Sequence, residues 1–121
     1  MTCAVLVVDD EPGVLRLLDI VLREVGCEVK LVADAEAALL ELEKARPDVV
    51  LTDVRLPGID GLELAQRIHS DENLSDAHVI LMSAYGRPHD LSGDDFVPKP
   101  FDLERLVARV RSYASEPPAG D

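Results

Sequence analysis

The sequence predicts an α/β fold in which helices cover both faces of a five-stranded parallel sheet. Segments of strand length carry short runs of consecutive apolar residues, as strands that are buried on both faces do. These segments are Ala4–Val8, Glu28–Val32, Asp48–Thr52 and His78–Met82, with Asp95–Val97 as a weaker fifth. Helical patterns lie between them, and such alternation with short connections indicates a parallel sheet. Right-handed crossovers then favour the flavodoxin-like strand order 2-1-3-4-5.

Apolar residues at helical spacing predict the helices. The first stripe runs from Val14 to Val25, with Pro12 at a first helical position and Gly26 just past the end. Three more stripes run from Ala35 to Leu42, from Leu62 to Ile68 and from Leu103 to Val110. Asp34 and Asp102 are the expected N-caps of the second and the last of these stripes.

The connection between the fourth and fifth strands departs from this rhythm. The step from Ser83 to Lys99 is 16 residues (99 − 83), and it contains Gly86, Pro88 and Gly93. A parallel crossover alone needs about a dozen residues or more. We therefore expect a shortened or missing fourth helix, of one or two turns at most.

Composition limits the possible functions. The chain has 121 residues, enough for one domain with a buried core, and a formal net charge of −12. That charge repels phosphate backbones and anionic lipid, so we expect no direct nucleic-acid binding and no membrane association. Cys3 and Cys27 form neither a CxxC pair nor a disulfide framework, so we expect reduced thiols in a cytoplasmic protein. Residues 1–114 form the predicted domain, and the Pro-rich residues 115–121 form a disordered tail or the start of a linker.

Polar side chains gather where the predicted strands end. They are Asp9-Asp10-Glu11 after strand one, Asp53 after strand three, Ser83 after strand four and Lys99 after strand five. In open α/β sheets ligands bind outside these carboxyl ends, here between strands one and three. Each residue alone has an ordinary explanation as a turn or cap residue. Their joint occurrence at one edge of the sheet indicates a functional site.

The residue types indicate phosphoryl transfer assisted by magnesium. Clustered carboxylates raise one another's pKa and destabilise the fold unless a cation joins them, and oxygen ligands suit Mg²⁺. His69, His78 and His89 are scattered, which excludes the usual spacing of a zinc site. A hard cation beside a carboxylate nucleophile, a hydroxyl and a lysine can position and neutralise a transferring phosphoryl group.

Four motifs, in order along the chain, resemble the signatures of response-regulator receiver domains in two-component signalling. They are Val7–Glu11, Thr52–Gly61, Ser83–Ala84 and Val97–Phe101. The resemblance extends from about Cys3 to about Tyr113. It implies a CheY-like domain that takes a phosphoryl group from the phosphohistidine of a histidine kinase or phosphotransfer protein and then changes its contacts with a downstream protein.

The resemblance also implies a role for each site residue. Asp53 would be the phosphoacceptor. Asp10 and Asp53 would bind Mg²⁺ directly, Asp9 would act mainly through bound water, and the backbone carbonyl of Arg55 would complete the protein ligands. Such a domain catalyses its own phosphorylation and its slow dephosphorylation, and is not an enzyme in the ordinary sense.

Further residues would act on or after phosphorylation. Lys99 would pair with a phosphoryl oxygen, and Ser83 would donate a hydrogen bond to the phosphoryl group and move toward it. Phe96 would be the switch aromatic that turns inward, with simple core packing as the alternative. The bond between Lys99 and Pro100 is often cis in this family.

The sequence departs from the family pattern at three places. The short segment after Ser83 puts the usual output face and dimer geometry in doubt, so the oligomeric state stays open. Leu56 replaces a common Met. Arg55 is a bulky cation beside Asp53, and we hypothesise that it shields the phosphoryl group from water or pairs with it.

Three other functions compete with this interpretation. A degenerate receiver would act only as a protein-interaction module, although the full set of acids, Ser83 and Lys99 argues against it. A phosphohydrolase would carry Asp-x-Asp after the first strand, where this chain has Asp9-Asp10-Glu11. A flavin or nucleotide carrier would need a Gly-rich phosphate loop at that place, which holds acids instead.

Overall fold

The structure, a computed structural model, describes residues 3–86, 88 and 94–114. In this part of the chain, strands and helices alternate up to β4. The elements are β1 Cys3–Val8, α1 Pro12–Glu24, β2 Cys27–Val32, α2 Ala35–Lys44, β3 Val49–Asp53, α3 Gly61–Ser70, β4 His78–Ser83, β5 Asp95–Pro98 and α4 Leu103–Ala114.

The strands form one five-stranded parallel sheet in the order β2-β1-β3-β4-β5, which confirms the predicted topology. Val8 of β1 is paired with Thr52 of β3, and Asp53 is paired with Met82 of β4. The carboxyl ends of these three strands therefore lie side by side. This alignment brings the polar residues that follow the strands to one edge of the sheet.

Local signals in the sequence account for the helix ends. Pro12 occupies the first turn of α1, and Gly26 follows that helix with φ +93°, a left-handed conformation that favours glycine. The carboxylate of Asp34 accepts a hydrogen bond from the amide of Ala37 at 2.7 Å. Asp102 accepts one in the same way from the amide of Arg105 at 3.2 Å. Both predicted N-caps are confirmed.

Alternate side chains along the strands divide the core between the two faces of the sheet. Val5 and Val7 of β1 face one cluster, together with Leu18 of α1 and Leu106 of α4. Leu6 and Val8 face the other, which the buried residues of α2 and α3 complete. Aliphatic burial on both faces holds β1, β3 and β4 at the centre and fixes the strand ends.

The short connection between β4 and β5 agrees with the predicted loss of a helix. The described residues of this segment, which are 84–86, 88 and 94, contain no helix. Residues 87 and 89–93, including His89 and Gly93, lie outside the described part of the chain, as do residues 115–121 of the predicted tail.

The prediction of two reduced thiols is wrong for this structure. Cys3 and Cys27 form a disulfide between β1 and β2, with a Cα–Cα distance of 4.5 Å. The two residues are register partners in the parallel pair, although they are 24 positions apart in sequence. The spacing of the two cysteines along the sequence does not predict the disulfide, because they come together only once β1 and β2 pair.

None of the described helices is long and apolar enough to cross a membrane.

Candidate functional site

Three carboxylates converge at the ends of β1 and β3. Asp9 is fully buried, Asp53 is 7% exposed and Asp10 is exposed. Each offers an oxygen, and these oxygens all lie within 4.8 Å of one another. Two hydrogen bonds to the backbone hold Asp9, the most deeply buried of the three residues. Its amide donates to the carbonyl of Val32 at 3.1 Å, and its carboxylate accepts from the amide of Glu11 at 2.9 Å.

Within the described part of the chain, Lys99 is the one residue whose ammonium group lies against this cluster. Its Nζ lies 2.7 Å from Asp9 Oδ2, 3.1 Å from Asp53 Oδ2 and 3.3 Å from Glu11 Oε1. The side chain of Lys99 is only 10% exposed. The peptide bond from Lys99 to Pro100 is cis, as the resemblance led us to expect.

Burial and ion pairing set the electrostatics of the site. Burial raises the pKa of Asp9 above its ordinary value, although hydrogen bonds from Lys99 and from the Glu11 amide oppose the rise. Burial by itself would lower the pKa of Lys99, but the hydrogen bonds to Asp9 and Asp53 outweigh it and hold that pKa above its ordinary value. Lys99 is therefore protonated at neutral pH and partly neutralises the carboxylates.

The donor set fits a hard divalent cation. Asp9, Asp10 and Asp53 offer only oxygen ligands, and three carboxylates against one ammonium group leave the site with excess negative charge. The exposed Asp10 marks the side from which a hydrated ion can enter. Mg²⁺ suits such a site because it keeps several of its waters and takes few protein ligands.

Ser83 lies at the end of β4 and is 3% exposed. Its Oγ accepts a hydrogen bond from the amide of Tyr85 at 3.0 Å, and its carbonyl accepts one from the amide of Lys99 at 2.9 Å. The hydroxyl is thus held in the turn after β4, beside the strand that ends in Asp53. Its proton is free to point to another acceptor.

Arg55 and Tyr85 meet beside the site. The amide of Arg55 donates to Asp53 Oδ1 at 3.3 Å, and its guanidinium carbon lies 4.2 Å from the centroid of the Tyr85 ring. This is a cation–π contact between the loop after β3 and the turn after β4. Both side chains are exposed, with Tyr85 at 73%.

Phe96 lies partly buried on β5, packed against the core cluster that contains Leu81, its register partner on β4. Its carbonyl accepts a hydrogen bond from Arg109 of α4 at 3.3 Å. This position suits simple core packing and also suits an aromatic ring that can turn further inward.

Gly61 allows α3 to begin directly beneath the site. A Cβ at this position would lie 2.1 Å from the carbonyl oxygen of Asp53, a distance that no side chain tolerates. The amide of Gly61 donates to the carbonyl of Val54 at 2.8 Å. The glycine therefore lets the loop after Asp53 close tightly on itself.

The structure brings Asp9, Asp10, Asp53 and Lys99 into one cluster, with Ser83 on the adjacent strand end. Sequence reasoning assigned no role to Glu11, which contacts Lys99, or to Tyr85, which contacts Arg55. No pattern in the sequence marks the contact of Tyr85 with Arg55, because it depends on how the loops after β3 and β4 meet.

Comparison with known proteins agrees with this geometry. The family model described as the response regulator receiver domain matches residues 5–111. The chain belongs to this family.

Three relatives illustrate the match. The DNA-binding response regulator MtrA of Mycolicibacterium smegmatis is 36% identical over 114 residues, which cover 89% of this chain and 49% of MtrA. A putative response regulator from Chloroflexus aurantiacus has a TM-score of 0.85 at 34% identity, covering 96% of this chain and all of that one. The receiver domain of a Pseudomonas aeruginosa sensor histidine kinase, with a magnesium ion coordinated in its active site cleft, has a TM-score of 0.85 at 29% identity, over 96% and 100% of the chains.

The chain spans about half the length of the curated relatives that it matches, for example 47% and 49% of two of them. The match therefore covers the receiver part of those proteins.

Proposed function

We propose that this receiver domain accepts a phosphoryl group on Asp53, in a reaction that requires Mg²⁺, from the phosphohistidine of a histidine kinase or phosphotransfer protein. The observation that carries the proposal is the cluster of Asp9, Asp10 and Asp53 with the ammonium group of Lys99 between two of them. The magnesium ion in the active site cleft of the Pseudomonas receiver domain supports the choice of metal.

In this proposal a carboxylate oxygen of Asp53 attacks the phosphorus of the donor. The new O–P bond forms as the P–N bond of phosphohistidine breaks, and the imidazole leaves with the electron pair of that bond. Asp10 and Asp53 would hold Mg²⁺ together with the carbonyl of Arg55, and Asp9 would act mainly through bound water. The ion would supply positive charge against the phosphoryl oxygens.

Lys99 prepares the site for the incoming anion. In the unphosphorylated state its ammonium group is held by Asp9 and Asp53, at 2.7 and 3.1 Å. An added phosphoryl group on Asp53 brings oxygens of higher charge density to the same place, so that Lys99 pairs with one of them. The cis bond to Pro100 belongs to the backbone path that directs Lys99 into the cluster.

Ser83 and Phe96 carry the signal outward in this proposal. Ser83 gives up its present role in the turn, donates its hydroxyl proton to a phosphoryl oxygen and moves toward Asp53. Phe96 lies on the neighbouring strand and turns into the space that this movement leaves. The surface around β5 changes as a result, and a downstream protein reads the change.

Arg55 influences how long the phosphoryl group survives. Its backbone amide already contacts Asp53, and its guanidinium lies over Tyr85 at 4.2 Å. The two side chains form a cover at the edge of the site. Such a cover slows hydrolysis by limiting the approach of water, and the guanidinium can also pair with a phosphoryl oxygen.

The proposed working unit is residues 1–114, acting in the cytoplasm, where ATP-dependent kinases and Mg²⁺ are available. It phosphorylates and dephosphorylates itself and turns over no other substrate. Relatives such as MtrA are named as DNA-binding proteins. We do not propose DNA binding for this domain, because its net charge of −12 repels the phosphate backbone.

A test of the proposal starts from acetyl phosphate and Mg²⁺ as the reagents and intact mass as the readout. We expect a single phosphoryl adduct on the wild-type chain, and none with Asp53→Asn or in the presence of a chelator. The absence of both an adduct and Mg²⁺ binding would overturn the proposal. It would favour a phosphorylation-independent interaction module instead.

A further inference from the structure

The five-stranded sheet has two edges. The edge that β5 forms is closed to pairing with a further strand. The amide of Lys99 donates to the carbonyl of Ser83 on β4, so that by alternation Phe96 and Pro98 direct their backbone groups away from the sheet. Pro98 has no N–H to offer. The outward carbonyl of Phe96 is already bonded to Arg109 at 3.3 Å.

The opposite edge, on β2, is more open. The carbonyl of Val32 accepts from the amide of Asp9 beside β1, so that the backbone groups of Cys27, Val29 and Leu31 point outward. Within the described residues no strand pairs with this side of β2. Arg23 of α1 donates to one outward carbonyl, that of Val29, at 3.0 Å. An edge of this kind can accept another strand.

Exposed apolar side chains concentrate around the same edge. Among the residues that the structure describes, the large hydrophobic ones left exposed are Leu17, Ile20, Leu31, Leu40 and Tyr85. All but Tyr85 belong to α1, β2 and α2, the elements at the β2 end of the sheet. A groove of about 380 Å³ also lies there, and residues of β2 and of the end of α2 line it, among them Val29 and Glu41.

We propose that the outer edge of β2 is a self-association surface, on which the β2 strand of a second copy of this chain adds in antiparallel orientation about Val29. This surface is separate from the phosphorylation site. A two-fold axis at Val29 places Val29 opposite itself and Cys27 opposite Leu31. These are the residues whose backbone groups point outward, so each pair can exchange two hydrogen bonds.

Charge complementarity favours a second copy as the partner. The same two-fold axis places Glu28 of one chain directly opposite Lys30 of the other, and Lys30 opposite Glu28. Both side chains are exposed on the same face of β2, with no ion pair to either in the described part of the chain. The non-hydrogen-bonded pairs of an antiparallel ladder bring side chains closest, which suits two such ion pairs.

Arg23 competes with the partner strand. Its Nε is held 2.6 Å from Asp19 while its Nη2 bonds to the carbonyl of Val29. The central pair of the ladder requires that same carbonyl. Arg23 must therefore leave this carbonyl before the second copy binds, so its hydrogen bond opposes association.

The test is sedimentation analysis over a range of concentrations up to about 1 mM, at an ionic strength that screens the net charge of −12. Lys30→Glu and Glu28→Lys each place like charges opposite one another. The double variant Glu28→Lys with Lys30→Glu restores both ion pairs at the net charge of the wild type. Both residues are exposed, so folding is retained and is checked by circular dichroism.

We expect a dimer that each single change weakens about tenfold, that the double change restores, and that Arg23→Ala strengthens. Glu28→Lys is the most informative variant, because it lowers the overall repulsion between chains and is still expected to weaken the dimer. A monomer at every concentration for both the wild type and Arg23→Ala would overturn the proposal. So would a dimer that the charge changes leave unaltered.

Discussion

The ammonium group of Lys99 lies closer to the carboxylate of Asp9, at 2.7 Å, than to that of Asp53, at 3.1 Å. The lysine is thus bonded to a residue of the candidate metal site as well as to the proposed phosphoacceptor. In the proposed reaction a divalent ion at that site would compete with Lys99 for Asp9, and the phosphoryl group would give Lys99 a new partner.

Replacement of Lys99 by Ala should destabilise the protein when Mg²⁺ is absent. The fully buried Asp9 would lose its cation, and removing one partner of a buried ion pair costs about 3–5 kcal/mol. Saturating Mg²⁺ should recover part of this loss, since the ion replaces the missing charge. Urea unfolding with and without Mg²⁺ measures both effects. Lys44→Ala is the control, because Lys44 is exposed and lies 3.8 Å from Glu41. Equal losses for the two variants would contradict this explanation.

Replacement of Gly61 by Ala should damage the fold and the site together. The new Cβ would meet the carbonyl of Asp53 at 2.1 Å, so the backbone below the phosphoacceptor has to shift. We expect a loss of roughly 2–4 kcal/mol in the free energy of unfolding, together with weaker Mg²⁺ binding. Gly13→Ala is the matched control, because nothing lies within 4 Å of its Cβ position at the start of α1. Two variants of equal stability would show that the close contact is unimportant.

Replacement of Arg55 by Ala should shorten the life of the phosphorylated form. A cation–π contact is worth about 0.5–1 kcal/mol at an exposed site, so we expect dephosphorylation to accelerate roughly two- to fivefold. Tyr85→Ala should act in the same direction, whereas Tyr85→Phe keeps the ring and should have little effect. Loss of the phosphoryl adduct is followed by intact mass after the donor is removed. An unchanged rate in Arg55→Ala would rule out a protective role.

The contact between His69 and Asp94 predicts a pH dependence of stability. Asp94 Oδ1 lies 2.6 Å from His69 Nε2, and Oδ2 is buried without a hydrogen bond. Burial raises the pKa of Asp94 above 3.8, and the hydrogen bond with His69 only partly offsets the rise. The folded state therefore holds this proton more tightly than the unfolded state. The protonated Asp94 therefore contributes most to the free energy of unfolding at low pH. This contribution is lost as the pH rises from 3.8 through the folded-state pKa of Asp94.

The Asp94→Asn variant isolates this contribution. Relative to Asp94→Asn, the wild type should lose stability as the pH rises from 3.8 through the folded-state pKa of Asp94. Urea unfolding across that range measures the difference, and Asp76→Asn, at an exposed position, corrects for the general loss of one negative charge. A difference that is constant with pH, or one that grows in favour of the wild type, would contradict a raised pKa of Asp94 in the folded state.

Much of the fold could be predicted because local and global signals agree. The apolar runs of β1, β3 and β4 suit only a sheet buried on both faces, and Pro12, Asp34 and Asp102 mark helix starts that the structure confirms. The strand order and the polar strand ends then bring Asp9, Asp53 and Lys99 together without any knowledge of side-chain positions.

What the sequence could not predict depends on contacts that form only after the strands pair. The disulfide between Cys3 and Cys27 follows from their register across β1 and β2. The contact of Arg55 with Tyr85 depends on how two loops meet above adjacent strands. The closeness of Gly61 to Asp53 depends on a tight loop whose path is not encoded in apolar periodicity.

The location of the phosphoryl group tests the central claim most directly. After incubation with acetyl phosphate and Mg²⁺, reduction with borohydride converts an aspartyl phosphate to homoserine, and peptide sequencing by mass spectrometry locates the converted residue. We predict conversion of Asp53 alone, and none when a chelator is present. Conversion of Asp9 or Asp10 in place of Asp53, or conversion of Asp53 that persists without a divalent ion, would contradict the account.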